Sequence, residues 1–179
     1  MTHEIEVKLW YKDKNKIDSI LNKLGAKQKE KIVIVDTYFD NPKDPFNVSE
    51  EVLRIRQVGK KSEVTYKGAS ENDSHIVKRR EMNIEINNPE EFTNLLKALG
   101  YEIMTEVTDN REIWKYKGMS IEFESKVSKN VARTDYVEIE GPSEEKIQSL
   151  IEQLEPHVTI ITKEEIENFR FLAGISKKK

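Results

Sequence analysis

The sequence predicts an α+β fold: eight antiparallel strands that close into a barrel or a strongly curved sheet, with four amphipathic helices packed outside. Three observations predict it. Eight segments alternate β-branched or aromatic residues with charged ones, the period of two expected of a strand with unlike faces. Neighbouring segments are joined by short turns such as Gly59-Lys60, which antiparallel pairing permits and parallel pairing does not. Four further segments repeat apolar residues at helical spacing and need an apolar surface to cover.

The strands are expected at 3–10, 32–39, 51–58, 62–67, 75–86, 103–116, 119–125 and 134–140. The first helix, 14–24, sets Ile17, Ile20, Leu21 and Leu24 on one face and stops at Gly25. The second, 89–99, opens with Pro89, places Glu90 and Glu91 near the positive end of its dipole, and ends at Gly100. The third, 143–154, opens at Ser143 and ends before Pro156, and the fourth, 162–173, opens with a capping-box pattern from Thr162 to Glu165. The Pro/Asn/Asp-rich stretch 40–47 reads as a loop.

The 179 residues suffice for one domain with its own core, expected over 1–176, followed by a frayed basic tail at 177–179. Thirty Lys and Arg stand against 33 Asp and Glu, so the balance points to neither nucleic acid nor an anionic membrane as partner. The absence of cysteine excludes disulfides, zinc–thiolate sites and a cysteine nucleophile. No apolar run approaches the ~20 residues of a membrane span, and the charged, strand-like start is unlike a signal peptide. A cytoplasmic monomer or homodimer is expected.

Charged faces recur from strand to strand. In Glu4-Ile5-Glu6-Val7-Lys8 both carboxylates and the ammonium share one face. Arg54 and Arg56 share a face opposite Leu53 and Ile55, as do Glu63, Thr65 and Lys67 opposite Val64 and Tyr66. Arg79, Glu81, Asn83 and Glu85 share another, and Glu122/Glu124 and Glu138/Glu140 repeat the acidic version. A sheet with one wet face would alternate in the same way without any function. However, like charges two apart on a strand repel unless something bridges them. If the helices cover the apolar outside, the charges line an enclosed space, which is costly unless they are paired or ligand-bound. Arginine and lysine grip phosphate, and paired carboxylates hold Mg²⁺ or Mn²⁺, so both together point to metal-assisted phosphoryl chemistry.

These residues resemble the CYTH superfamily, the triphosphate tunnel metalloenzymes. Glu4-Ile5-Glu6-Val7-Lys8 resembles its E-x-E-x-K strand, and Asp36-Thr37-Tyr38-Phe39-Asp40 its D-x-Y-[FL]-D segment. Leu53-Arg54-Ile55-Arg56 is similar to L-R-x-R, and Thr65-Tyr66-Lys67-Gly68 to T-x-K-G. Arg79-Arg80-Glu81-Met82-Asn83 is similar to R-x-E-x-E, Arg111 to the arginine of K-x-R, and Glu138-Ile139-Glu140 to the closing E-x-E. The resemblance implies an eight-stranded tunnel with its charged faces inward. It implies triphosphate contacts from Lys8, Arg54, Arg56, Lys67, Arg79 and Arg111. It implies Mg²⁺ or Mn²⁺ ligands among Glu4, Glu6, Glu138 and Glu140, helped by Glu81 and Glu124. Lys8, Arg56 and Glu138 are the residues expected nearest the chemistry.

The implied activity is hydrolysis of inorganic or nucleoside triphosphate; the alternatives are a class IV adenylyl cyclase and a non-catalytic polyphosphate- or nucleotide-binding module. Three departures stand out: Asp109 replaces the lysine of K-x-R, Asn83 replaces the last acid of R-x-E-x-E, and Val131–Tyr136 replaces the usual G-L-G-D-F. Arg133 and Lys115 are the cations considered as substitutes for the missing lysine. His3, His75 and His157 are scattered, form no triad spacing and read as surface residues. Trp10 and Trp114 read as packing residues, with Trp10 on the Glu4–Lys8 face, where a tunnel mouth is the alternative place for it.

Overall fold

In a computed structural model that describes residues 2–46, 50–71 and 74–175, the chain begins with β1 (Thr2–Tyr11), α1 (Lys14–Lys23), β2 (Lys27–Asp40), β3 (Val52–Val58), β4 (Lys61–Lys67) and β5 (Val77–Ile86). It continues with α2 (Pro89–Ala98), β6 (Glu102–Tyr116), β7 (Met119–Ser128), β8 (Thr134–Glu140), α3 (Glu144–Leu154), β9 (Val158–Ile160) and α4 (Lys163–Leu172). The sheet order is β5-β4-β3-β2-β6-β7-β8-β1, and β1 pairs back onto β5. This closes an eight-stranded antiparallel barrel and removes its open edges.

The short β9 was not predicted: its three residues are too few to show a period. It has a definite place in the sheet. Glu6 faces both Val77 of β5 and Glu140 of β8, so these two strands flank β1 on opposite sides. Leu9 faces both Val137 of β8 and Ile160 of β9, so β9 lies on the β5 side and continues the seam where β5 runs out. Two other strands exceed their predicted limits by three residues or more. β2 begins at Lys27 rather than 32, and β7 runs to Ser128 rather than 125. The predicted tail at 177–179 lies outside the described residues.

Local chemistry sets the turns and helix ends. Lys117 (φ 47°) and Gly118 (φ 84°) form a two-residue hairpin between β6 and β7 with both residues left-handed, as a tight hairpin requires. Asp13, Asn88 and Ser143 accept hydrogen bonds from backbone N–H groups at the starts of α1, α2 and α3. Thr162 and Glu165 complete the predicted capping box of α4.

The core lies outside the barrel. Val7 and Leu9 of β1, Ile121 and Phe123 of β7, and Val137 and Ile139 of β8 pack against Ile17 and Leu21 of α1 and Ile147 and Leu150 of α3. A Cβ on Gly141 would come within 2.9 Å of Ile147 Cγ1, so α3 seats directly on that glycine. A smaller cluster sets Leu96 of α2 on Phe39, Leu53, Ile55 and Val64. The helical cover is incomplete: Met82 and Ile84, on the apolar face of β5, are 40% and 60% exposed because α2 sits over β3 and β4 instead. Ile139→Ala, at a fully buried position, is expected to cost about 2–5 kcal/mol in urea unfolding. Among the described residues no helix is long and apolar enough to cross a membrane.

Candidate functional site

With the apolar face of each strand turned outward, period-2 alternation turns the charges inward. They line a cavity of about 580 Å³. All six cations expected to hold phosphate (Lys8, Arg54, Arg56, Lys67, Arg79 and Arg111) face it. They fall into three groups.

The first group spans β1, β4 and β5. Lys67 Nζ lies 2.6 Å from Glu4 Oε1, 3.1 Å from Glu81 Oε2 and 3.6 Å from Glu6 Oε2. Arg79 reaches Glu4 at 3.3 Å and Glu6 at 2.5 Å. Burial, then the charge of Glu6, pushes the Glu4 carboxyl up to about 8. Burial also raises Glu6, but Lys67, Lys8 and Arg79 outweigh it and hold Glu6 well below the usual carboxylate range. Burial acts the same way on Glu81, yet Lys67 and the Asn83 amide bring it down to about 2. So Asn83, in place of an acid, donates to a neighbouring one at 2.6 Å.

A pH dependence follows from Glu4. Between its ordinary value of 4.5 and about 8, the unfolded chain has lost this proton and the folded chain keeps it. The native state binds more protons in that window, so Glu4 lowers stability as pH rises through it. The melting temperature of the metal-free protein is expected to fall between about pH 5 and pH 8, with Glu4→Gln flattening that slope in circular-dichroism melts.

The second group joins β2 to β3. Asp36 faces Arg56 in the pairing register, and Arg56 donates to both its oxygens at 2.8 Å. Arg54 approaches Asp36 Oδ2 at 3.4 Å. Burial raises Asp36, but Arg54 and Arg56 overcome it and keep Asp36 ionised far below the usual range. Tyr38 lines the cavity beside them.

The third group spans β6, β7, β8 and β1. Glu122 faces Glu138 across β7–β8, and Glu138 faces Lys8 across β8–β1. Lys8 Nζ binds Glu138 and lies 2.8 Å from Glu6. Burial disfavours the Lys8 charge, but Glu138 and Glu6 keep it protonated well above its ordinary range. Arg111 binds Asp109 (2.6 and 3.0 Å), Glu122 and Glu124. Glu124, fully buried, also binds Lys126 at 2.6 Å and accepts from the Tyr136 hydroxyl. Burial raises Glu124, but Arg111 and Lys126 hold it ionised.

Oxygens of Glu122, Glu124 and Glu138 lie within 4.8 Å of one another, the one such carboxylate group among the described residues. Glu124 Oε1 is 2.8 Å from Arg111 Nη2 but off the hydrogen-bond axis, so it is buried without a hydrogen bond. Clustered carboxylate oxygens with lone pairs to spare suit a hard divalent cation. Of the acids expected to hold metal, Glu124 and Glu138 are brought together here. Glu6 and Glu81 are counter-ions of Lys67 and Arg79, Glu4 accepts hydrogen bonds from the same two cations, and Glu140 is the more exposed partner of Glu6.

The CYTH domain family matches residues 2–170. The chain belongs to the CYTH family. That family includes triphosphatases and class IV adenylyl cyclases. A curated relative, "Putative adenylate cyclase MJ0240" of Methanocaldococcus jannaschii, is 35% identical over 112 residues, which are 63% of this chain and 63% of that protein. The PH1012 protein of Pyrococcus horikoshii OT3 is 26% identical and superposes with a TM-score of 0.67, covering 87% of this chain and 94% of that one. A second structure, "Putative adenylyl cyclase HpAC1 from Hippeastrum", shares the fold at a TM-score of 0.71 and 15% identity, covering 93% of this chain and 95% of that one.

Within this CYTH tunnel several residues went unassigned in the sequence. Glu122 was visible in an E-x-E pattern but given no role, and Asp36 was noted only as part of a motif. Lys126 lay one residue beyond the predicted end of its strand, so its inward phase was hidden. Trp10 both packs and lines the cavity: it packs edge-on against Tyr136 and donates to Glu165 of α4 at 3.1 Å. α4 lines one end of the cavity with Ile166, Phe169 and Arg170, and Arg170 donates to the backbone carbonyls of Glu50 and Glu51. Neither cation considered in place of the missing lysine faces the cavity. Arg133 pairs with Asp135 at the surface, and Lys115 is exposed.

Proposed function

We propose that this CYTH protein is a divalent-metal-dependent triphosphatase that hydrolyses the phosphoanhydride bond of inorganic triphosphate or of a nucleoside triphosphate. One observation carries the reading: six cations converge on a single cavity of about 580 Å³ that is also lined by Glu122 and Glu138, with the fully buried Glu124 grouped with them. Without ligand, cations and acids neutralise one another. A triphosphate offers the cations new counter-ions, and a divalent cation does the same for the acids, so ligand and metal together exchange partners on both sides. Neither buried set is then left uncompensated.

In this reading Arg54, Arg56, Lys67, Arg79 and Arg111 hold the phosphate chain, Arg56 and Lys8 neutralise charge at the reacting phosphoryl group, and Glu138 orients Lys8. Glu122, Glu124 and Glu138 would hold Mg²⁺ or Mn²⁺, with Glu4, Glu6 and Glu140 alongside across the β8–β1–β5 pairing. Such an ion supplies positive charge against the phosphate oxygens and makes water more acidic.

The name of the M. jannaschii relative favours a second reading, cyclisation of ATP to cyclic AMP and pyrophosphate. The HpAC1 neighbour is described as having a dominant triphosphatase activity, and at 15% identity its likeness speaks for the fold alone. Tripolyphosphate, ATP and thiamine triphosphate, each incubated with Mg²⁺ or Mn²⁺, separate these readings. Phosphate release supports the triphosphatase, cyclic AMP the cyclase, and tight binding with no product the non-catalytic module.

A further inference from the structure

The lysine that K-x-R would place on β6 is Asp109, and its direct cross-strand partner on β7 is Lys126. Both side chains point inward, but they are not equivalent. Asp109 is fully buried, held by Arg111, and absent from the cavity lining, with its Oδ1 lacking a hydrogen bond among the described residues. Lys126 is 8% exposed and lines the cavity. An ammonium group has three N–H donors. Glu124, at 2.6 Å, and the Tyr136 hydroxyl engage two of them among the described residues.

We propose that Lys126 is a phosphate-binding residue: the cation missing from β6 is supplied by the facing position of β7, while Asp109, behind the wall, pairs with Arg111. The inference rests on the triphosphate reading. The transposition works because cross-strand partners on one face are separated by only about 5 Å, within the reach of a lysine side chain. Placing the acid behind the wall and the ammonium at the cavity keeps the local charge toward an anion positive. If Lys126 served only to neutralise Glu124 and Asp109, its loss would lower the melting temperature without selectively affecting anion binding.

The test is calorimetric titration of tripolyphosphate into the full-length protein, once in EDTA and once with Mg²⁺. Lys126→Met is expected to weaken binding about 10- to 100-fold, the range for losing a charge-assisted hydrogen bond, and Lys126→Arg to stay within about threefold of the unmodified protein. Lys126→Met binding within about twofold of the unmodified protein overturns the inference. Should Lys126→Met lose the native circular-dichroism spectrum, Lys126→Gln decides, since it keeps a polar donor and removes only the charge: binding weakened about fivefold or more is expected, and binding within about twofold of the unmodified protein overturns the inference. If the unmodified protein binds tripolyphosphate in neither condition, the triphosphate reading fails and the role of Lys126 fails with it.

Discussion

Asp36→Asn is expected to destabilise the protein by about 3 kcal/mol, because it leaves two guanidinium groups in the barrel without their counter-ion. Asp36 is fully buried and is the salt-bridge partner of both Arg54 and Arg56. The asparagine oxygen can still accept a hydrogen bond, so the loss is that of charge compensation rather than shape. For a chain of this length such a loss corresponds to a fall in melting temperature of roughly 6–12 °C. The same substitution should strengthen tripolyphosphate binding, since Arg54 and Arg56 no longer have an internal anion to give up. Melts with and without tripolyphosphate check both effects: the deficit of Asp36→Asn should shrink when the anion is present. A deficit unchanged by tripolyphosphate would remove these arginines from the binding site. The acid limb carries a related sign. With its folded pKa depressed, Asp36 contributes stability above its ordinary value of 3.8 that is lost as pH falls toward its folded value, and Asp36→Asn should lack that acid-dependent loss.

Glu138→Gln is expected to lower metal-dependent phosphate release about 100- to 1,000-fold with little change in fold. Glu138 joins the Glu122–Glu124 pair to Lys8, so its charge serves the acidic group and the cation at once. Lys8 keeps Glu6 at 2.8 Å, so the buried ammonium is not abandoned and the structural cost stays small. Tripolyphosphate binding in EDTA should persist, because Arg54, Arg56, Lys67, Arg79 and Arg111 are untouched. Single-turnover phosphate release alongside calorimetry separates the two effects. Full activity in Glu138→Gln would exclude Glu138 from the chemistry, and loss of metal-free binding would instead mark it as an organiser of Lys8.

Much of the barrel was legible because alternation is a local property. Once Ile5, Val7 and Leu9 are apolar and Glu4, Glu6 and Lys8 charged, the strand has two unlike faces wherever it ends up. Helices α1 to α4 were legible from their spacing and caps. Three features were not. β9 is too short to show a period and exists because β1 has an edge beyond the end of β5. The last four residues of β7 are Ser125-Lys126-Val127-Ser128, where polar residues blur the alternation, and pairing with β6 sustains the strand. The uncovered face of β5 depends on where α2 settles, which its own amphipathic pattern does not specify.

Residue type and period alone establish which residues are charged, which share a strand face, and that the chain carries the motifs of a two-signed CYTH tunnel. The partners follow from how the strands pair. The β8–β1 pairing joins the two ends of the chain and sets Glu138 on Lys8, and the register of the β6–β7 hairpin sets Asp109 opposite Lys126. The pairing also separated the acids into counter-ions, such as Glu6 and Glu81, and the Glu122–Glu124–Glu138 group. The physical reason is that charge pairing falls off over a few ångströms, and barrel register, rather than position along the chain, sets those distances.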